Sequence, residues 1–196
     1  MRLIPTALAL LLASLAGHAD LFAAPHPDAH ADRRASTTQG VQTQGRCSFN
    51  PGASEGGAVR SEEPAIRRLV DIGIACSPTF RRLVTELAST DVVVHVFLAR
   101  RHNGLRGYLV HRVVEAGGVR FLQIAIDAGG AEPRVIGLLA HELQHALEVA
   151  RVPEVGRTRR IDRFFEEIAD NVCRSATCSE TRAATEVQEA VVDELD

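Results

Sequence analysis

Leu138-Leu139-Ala140-His141-Glu142-Leu143-Gln144-His145-Ala146-Leu147 carries the pattern from which the rest of the chain is best read. With Val149 and Ala150 continuing the run, its apolar density is that of a helix buried on most sides. Pro133 sits where a first-turn proline would, and Pro153 with Gly156 marks the far end. Positions i and i+4 share a helix face, so the imidazoles of His141 and His145 can reach one metal ion. Glu142 projects about 100° around the axis from His141, close enough to touch a water on that metal without ligating it. Two imidazoles and a carboxylate inside an apolar helix are unfavourable to bury without partners. A metal offsets that cost, and a core histidine pair satisfied by neighbouring groups is the plainer alternative.

A third ligand has to come from elsewhere. No histidine follows His145, and position 148 is Glu148, so the pattern HExxHxxGxxH is excluded. A downstream ligand is therefore a carboxylate or a cysteine. Between Ile161 and Asp170, the residues Ile161, Phe164, Phe165 and Ile168 fall at helical spacing, continued by Val172. Glu166, Glu167 and Asp170 lie off that stripe, a pattern that an amphipathic helix with a solvated acidic face also produces. Helical phasing does not separate Glu166 from Glu167. Glu148, on the face of His141 and His145, is a further rival.

HExxH followed some twenty residues later by a helical Glu-x-x-x-Asp resembles the gluzincin branch of the zincin metallopeptidases. The nearest likenesses are thermolysin-type enzymes and the Glu-x-x-Ala-Asp form of membrane-bound heat-shock and prenyl-protein proteases. Glu166-Glu167-Ile168-Ala169-Asp170 carries that half, and the likeness spans residues 133–172. It implies one Zn2+ held by His141, His145 and Glu166, with Asp170 orienting a ligating histidine. It also implies Glu142 as general base and a peptide or protein substrate, most simply an endopeptidase. The spacing to Asp170 is what favours Glu166 over Glu167. Thermolysin-like enzymes place a Tyr and a His downstream to steady the oxyanion, whereas here Tyr108 lies upstream and no later His exists. His111 or an arginine among Arg157, Arg159, Arg160 and Arg163 is the candidate substitute. A second reading is a non-catalytic zinc-binding protein of zincin fold, acting as an envelope or extracellular binding module. The intact Glu142 speaks against it. A metal-free secreted interaction domain is a third.

Met1-Arg2, the apolar run Leu3–Ala16 and the small residues of Gly17-His18-Ala19 read as a secretory signal peptide over residues 1–19. The apolar stretch is short for a membrane span, so a soluble secreted or periplasmic protein without stable membrane insertion is expected. Cys47, Cys76, Cys173 and Cys178 agree with an oxidising compartment, and the pairings Cys173–Cys178 and Cys47–Cys76 are favoured. A net charge of −3 argues against nucleic acid as a partner.

Residues 20–60 are rich in small and polar side chains and read as a disordered leader or linker. Residues 61–196 then form one domain. Its expected order begins with a helix from Ser61 to Ala75 and a second from Ser77-Pro78. A strand Val92–Leu98 and a hairpin at Asn103-Gly104 follow, then strands Tyr108–Val114 and Val119–Ile126 about a Gly117-Gly118 turn. The metal-site helix, the Glu166 helix and a C-terminal helix Arg182–Leu195 complete it. That order predicts an α+β fold with N-terminal helices, a small three-stranded antiparallel sheet and C-terminal helices, resembling a minigluzincin. Strand Val119–Ile126, joined to the metal-site helix by a short loop, is expected near the cleft, where an extended peptide could add to a sheet edge.

Overall fold

Val92-Val93-Val94-His95-Val96-Phe97-Leu98, β-branched over most of its length, forms the strand that its composition predicts, but with unexpected neighbours. The computed structural model describes residues 57–100, 105–169 and 180–196. In chain order these form β1 (Val59–Arg60), α1 (Pro64–Cys76), α2 (Pro78–Ala88), β2 (Val92–Leu98), β3 (Gly107–Leu109) and β4 (Val114–Ala116). They continue with β5 (Val119–Ile126), α3 (Glu132–Ala150), α4 (Ile161–Ile168) and α5 (Arg182–Leu195).

The fold is mixed α and β, and the expected antiparallel meander is corrected to a mixed five-stranded sheet. Strand order is β1-β2-β5-β3, with β4 also pairing β5. β2 and β5 run parallel from Val92 opposite Arg120 to Leu98 opposite Ile126. β1, within the stretch assigned to the leader, adds in parallel on the other side of β2. The physical reason lies in the composition of β2 and β5. Apolar side chains on both faces suit strands at the centre of a sheet better than a solvent-backed hairpin. The Asn103-Gly104 turn lies outside the described residues.

The single strand expected over Tyr108–Val114 is two strands. The Arg112 amide donates to the Val110 carbonyl at 2.6 Å, a tight turn that diverts the chain at His111. β3 and β4 therefore pair antiparallel with opposite ends of β5. Gly117 and Gly118, with φ of 59° and 81°, form the two-residue β4–β5 turn, which calls for left-handed backbone at both positions.

Helix α1 starts three residues later and α2 one residue later, and both otherwise follow their sequence pattern. Ser77 caps α2 by accepting the Phe80 amide at 2.9 Å. α3 lies against the sheet, with Val135, Ile136, Leu139, Ala140, Leu143 and Ala146 buried among β2, β5 and the other helices. α5 packs along α3. A Cβ on Gly137 would stand 2.5 Å from Val192 and 3.1 Å from the Gln188 carbonyl, so glycine is what permits this approach.

The far end of α3 is fixed by a buried cation. Arg120 on β5 is 0% exposed and forks onto both carboxylate oxygens of Asp91 at 2.9 and 2.7 Å. Its remaining donors reach the carbonyls of Val149, Ala150, Val152 and Val155 at 2.9–3.0 Å. Four backbone acceptors at a helix end and the loop after it thus find a partner. Arg157 closes the arrangement from outside, bonding Asp91 at 2.9 Å and Glu115 at 3.1 Å. Cys76 is not a free thiol. Cys47, Cys173 and Cys178, and with them the two expected pairings, lie outside the described residues, as does the signal segment 1–19. No helix among the described residues is long and apolar enough to cross a membrane.

Candidate metal centre

α3 carries His141, Glu142 and His145 through the interior, each 4–6% exposed. The i, i+4 spacing does what helix geometry requires. The two Nε2 atoms face each other at 3.2 Å, with the rings edge-on at 83°. The third group on the same point is Glu180, whose Oε2 stands 3.1 Å from His141 Nε2. One ligand-type atom from each of His141, His145 and Glu180 falls within 4.8 Å of the other two.

This set differs from the one expected in its carboxylate. Glu166 is not brought to the histidines. Its side chain is 53% exposed and pairs with Arg163 at 2.8 Å. Glu167, the rival, is more exposed still and pairs with Arg159. The cause is the phase of α4. Its buried side is Ile161, Phe164 and Phe165, and Phe165 is the residue that meets the site, its ring edge-on to His145 with centroids 5.2 Å apart. One position along, Glu166 is turned about 100° away from that contact. Asp170, expected to orient a histidine, lies outside the described residues.

Glu180 belongs to no periodic pattern, so the spacing of the sequence does not single it out. It stands two residues before α5, next to Thr181, whose hydroxyl caps that helix by accepting the Ala184 amide at 3.2 Å. The available signal was a carboxylate beside a helix-capping threonine, followed by a helix that Gly137 allows onto α3. That pairing of helices was not readable from the sequence.

Glu148, weighed as a rival ligand, meets the outer side of the site. Its Oε2 is 3.0 Å from His145 Nδ1, and its Oε1 accepts the Thr181 hydroxyl at 2.7 Å. His111, in the turn after β3, stacks on Phe165 with centroids 5.4 Å apart and planes at 15°. The four arginines considered for the oxyanion are engaged elsewhere: Arg157 with Asp91 and Glu115, Arg159 with Glu167, Arg160 with Asp162, and Arg163 with Glu166.

The electrostatics follow from burial. Desolvation pushes the Glu142 carboxyl above its ordinary range, against the pull of both imidazoles and a hydrogen bond from the Leu109 backbone N–H on β3. For His141, burial disfavours the cation, but the bond to Glu180 and the charges of Glu142, Glu180 and Glu148 outweigh it and raise the pKa. Glu180 is lowered, chiefly by its bond to His141. The donor chemistry fits a divalent transition metal. Two imidazole nitrogens and one carboxylate oxygen converge, with Glu142 alongside. Comparison of the chain with family models, curated proteins and solved structures returns no match.

Proposed function

We propose that this chain is an exported zinc-dependent metallopeptidase of zincin type, with His141, His145 and Glu180 as the metal ligands and Glu142 as the general base. The observation that carries the reading is the convergence of those three ligand atoms within 4.8 Å beside a buried carboxylate of raised pKa. Bound there, Zn2+ would polarise a peptide carbonyl and make water acidic enough to attack it near neutral pH.

The protein's own groups do the rest. Glu142 accepts the proton that the attacking water loses and passes it to the departing amide nitrogen, so the amine leaves neutral. The Leu109 backbone on β3 favours the charged form of Glu142, in the direction opposite to burial. β5, the strand expected beside the cleft, is central in the sheet; β3 ends the strand path and abuts the general base. An extended peptide adding to β3 would therefore run past Glu142. Of the groups considered for steadying the oxyanion, His111 is the one packed towards the site, through Phe165. The signal segment supports export, and the absence of a basic surplus agrees with a peptide rather than a nucleic acid as substrate.

Metal analysis of the purified chain, with hydrolysis of an unfolded protein, tests the proposal. About one zinc per chain is expected, lost in His145→Ala and in Glu180→Ala. Glu142→Gln should keep the metal and lose cleavage by roughly 10²–10⁴-fold, because an amide cannot take the proton. Wild-type protein that stays empty after refolding with zinc ends the proposal. Retained zinc with no cleavage of any unfolded substrate would leave the binding-module alternative.

A further inference from the structure

Glu148 has no place in the catalytic cycle above, yet it touches both elements that supply metal ligands. It lies on α3 three residues beyond His145, and its side chain is 11% exposed. One oxygen meets His145 Nδ1 and the other accepts the hydroxyl of Thr181, the residue next to Glu180. Thr181 is itself 6% exposed and uses the same hydroxyl oxygen to accept the Ala184 amide that opens α5. A carboxylate in this position has two separate effects. Accepting the proton at Nδ1 sets the tautomer of His145 and leaves the Nε2 lone pair directed at the metal point. Accepting from Thr181 fixes the start of α5, and so the backbone that carries Glu180, to the helix that carries both histidines.

We propose that Glu148 is a positioning residue that joins the two ligand-bearing elements, and that the Thr181 hydroxyl is its obligatory partner. This rests on the assignment of His141, His145 and Glu180 as ligands. The direction of the Thr181–Glu148 bond matters: the hydroxyl donates and the carboxylate accepts. A helix cap alone makes no such demand, because Ser, Asp and Asn all serve as N-caps.

That difference separates a positioning role from a merely structural one. Zinc affinity of the full chain is measured by competition with a chelator, and thermal unfolding is followed on the metal-free protein. Glu148→Ala should weaken zinc binding about 10–100-fold, the usual effect of removing a group that orients a ligand. Thr181→Ser, which still donates and still caps, should bind zinc as wild type does. Thr181→Asp still caps α5, but it sets one carboxylate against another, which lowers the metal-free midpoint, and it should lose zinc affinity in the same range as Glu148→Ala. Adding Glu148→Gln to Thr181→Asp reverses the bond: the new amide donates to position 181 while its oxygen still accepts from His145 Nδ1. The double variant should recover most of the loss. Thr181→Asp with wild-type affinity, or a double variant no better than Thr181→Asp alone, overturns this inference only. A wild-type chain that binds no zinc, or whose zinc survives both His145→Ala and Glu180→Ala, overturns the ligand assignment and this inference with it.

Discussion

Arg120, at one end of α3, and Glu142, midway along it, are both buried, and they are treated in opposite ways. Arg120, at the C-terminal end of the helix, has every arm of its guanidinium occupied, by Asp91 and by four carbonyls. Glu142, midway along, is 5% exposed and faces two imidazoles, the Glu180 carboxylate and one backbone N–H rather than an arginine. Burial raises its pKa instead of being answered by a cation. The contrast separates scaffolding from chemistry. A buried charge with all its bonds made holds structure, whereas a buried acid held above its ordinary range is suited to proton transfer.

The most severe way to break the contrast is Arg120→Met. It strips four carbonyls of their donor and leaves Asp91 with Arg157 alone, which should remove about 3–5 kcal/mol of stability. Against the 5–15 kcal/mol that typically holds a domain, such a loss shifts the urea midpoint far or unfolds the chain. Glu142→Gln, tested metal-free in the same denaturation, should unfold no more easily than wild type, because it removes a carboxylate that burial already disfavours. Equal losses in the two variants would erase the distinction.

Acid sharpens it further. Hydrogen bonding to Arg120 is the main reason the Asp91 carboxyl lies below its ordinary range. A depressed native pKa gives stability that is fully present above the unfolded-state value and is lost as pH falls through the native one. The acid limb of the stability profile should therefore flatten in Asp91→Asn, which should also be less stable than wild type at neutral pH. An acid limb identical to that of wild type would show that the Arg120 cluster does not set acid sensitivity.

The part of the site that a single helix builds was legible, because i, i+4 geometry is local. His141, Glu142 and His145 needed no knowledge of the fold. The strand Val92–Leu98, the Gly117-Gly118 turn and the α5 span were legible for the same reason. What failed was pairing at a distance. Both a meander and the observed parallel β2–β5 pairing are compatible with apolar strands of this length, and only the packed sheet chooses between them. The carboxylate beside the two histidines was not legible for the same reason. The spacing of Glu166 to Asp170 resembled a known pattern, while Glu180 depended on α5 fitting against Gly137.

The smallest expected effect is therefore at Glu166. Its side chain is more than half exposed, and its partner Arg163 is 70% exposed, so the pair is worth at most about 1 kcal/mol. Glu166→Ala should leave zinc affinity unchanged and move stability by no more than about 0.5 kcal/mol, as at an ordinary surface position. Phe165 occupies the inward direction on α4, edge-on to His145, and a carboxylate one position later cannot take its place unless the helix turns by about 100°. Such a turn would expose Phe165 and break its stack with His111. The measurement is the chelator competition applied to Glu166→Ala and Glu180→Ala side by side. A large loss in the first with none in the second would mean that α4 turns when metal binds, and would restore the ligand that spacing alone had favoured.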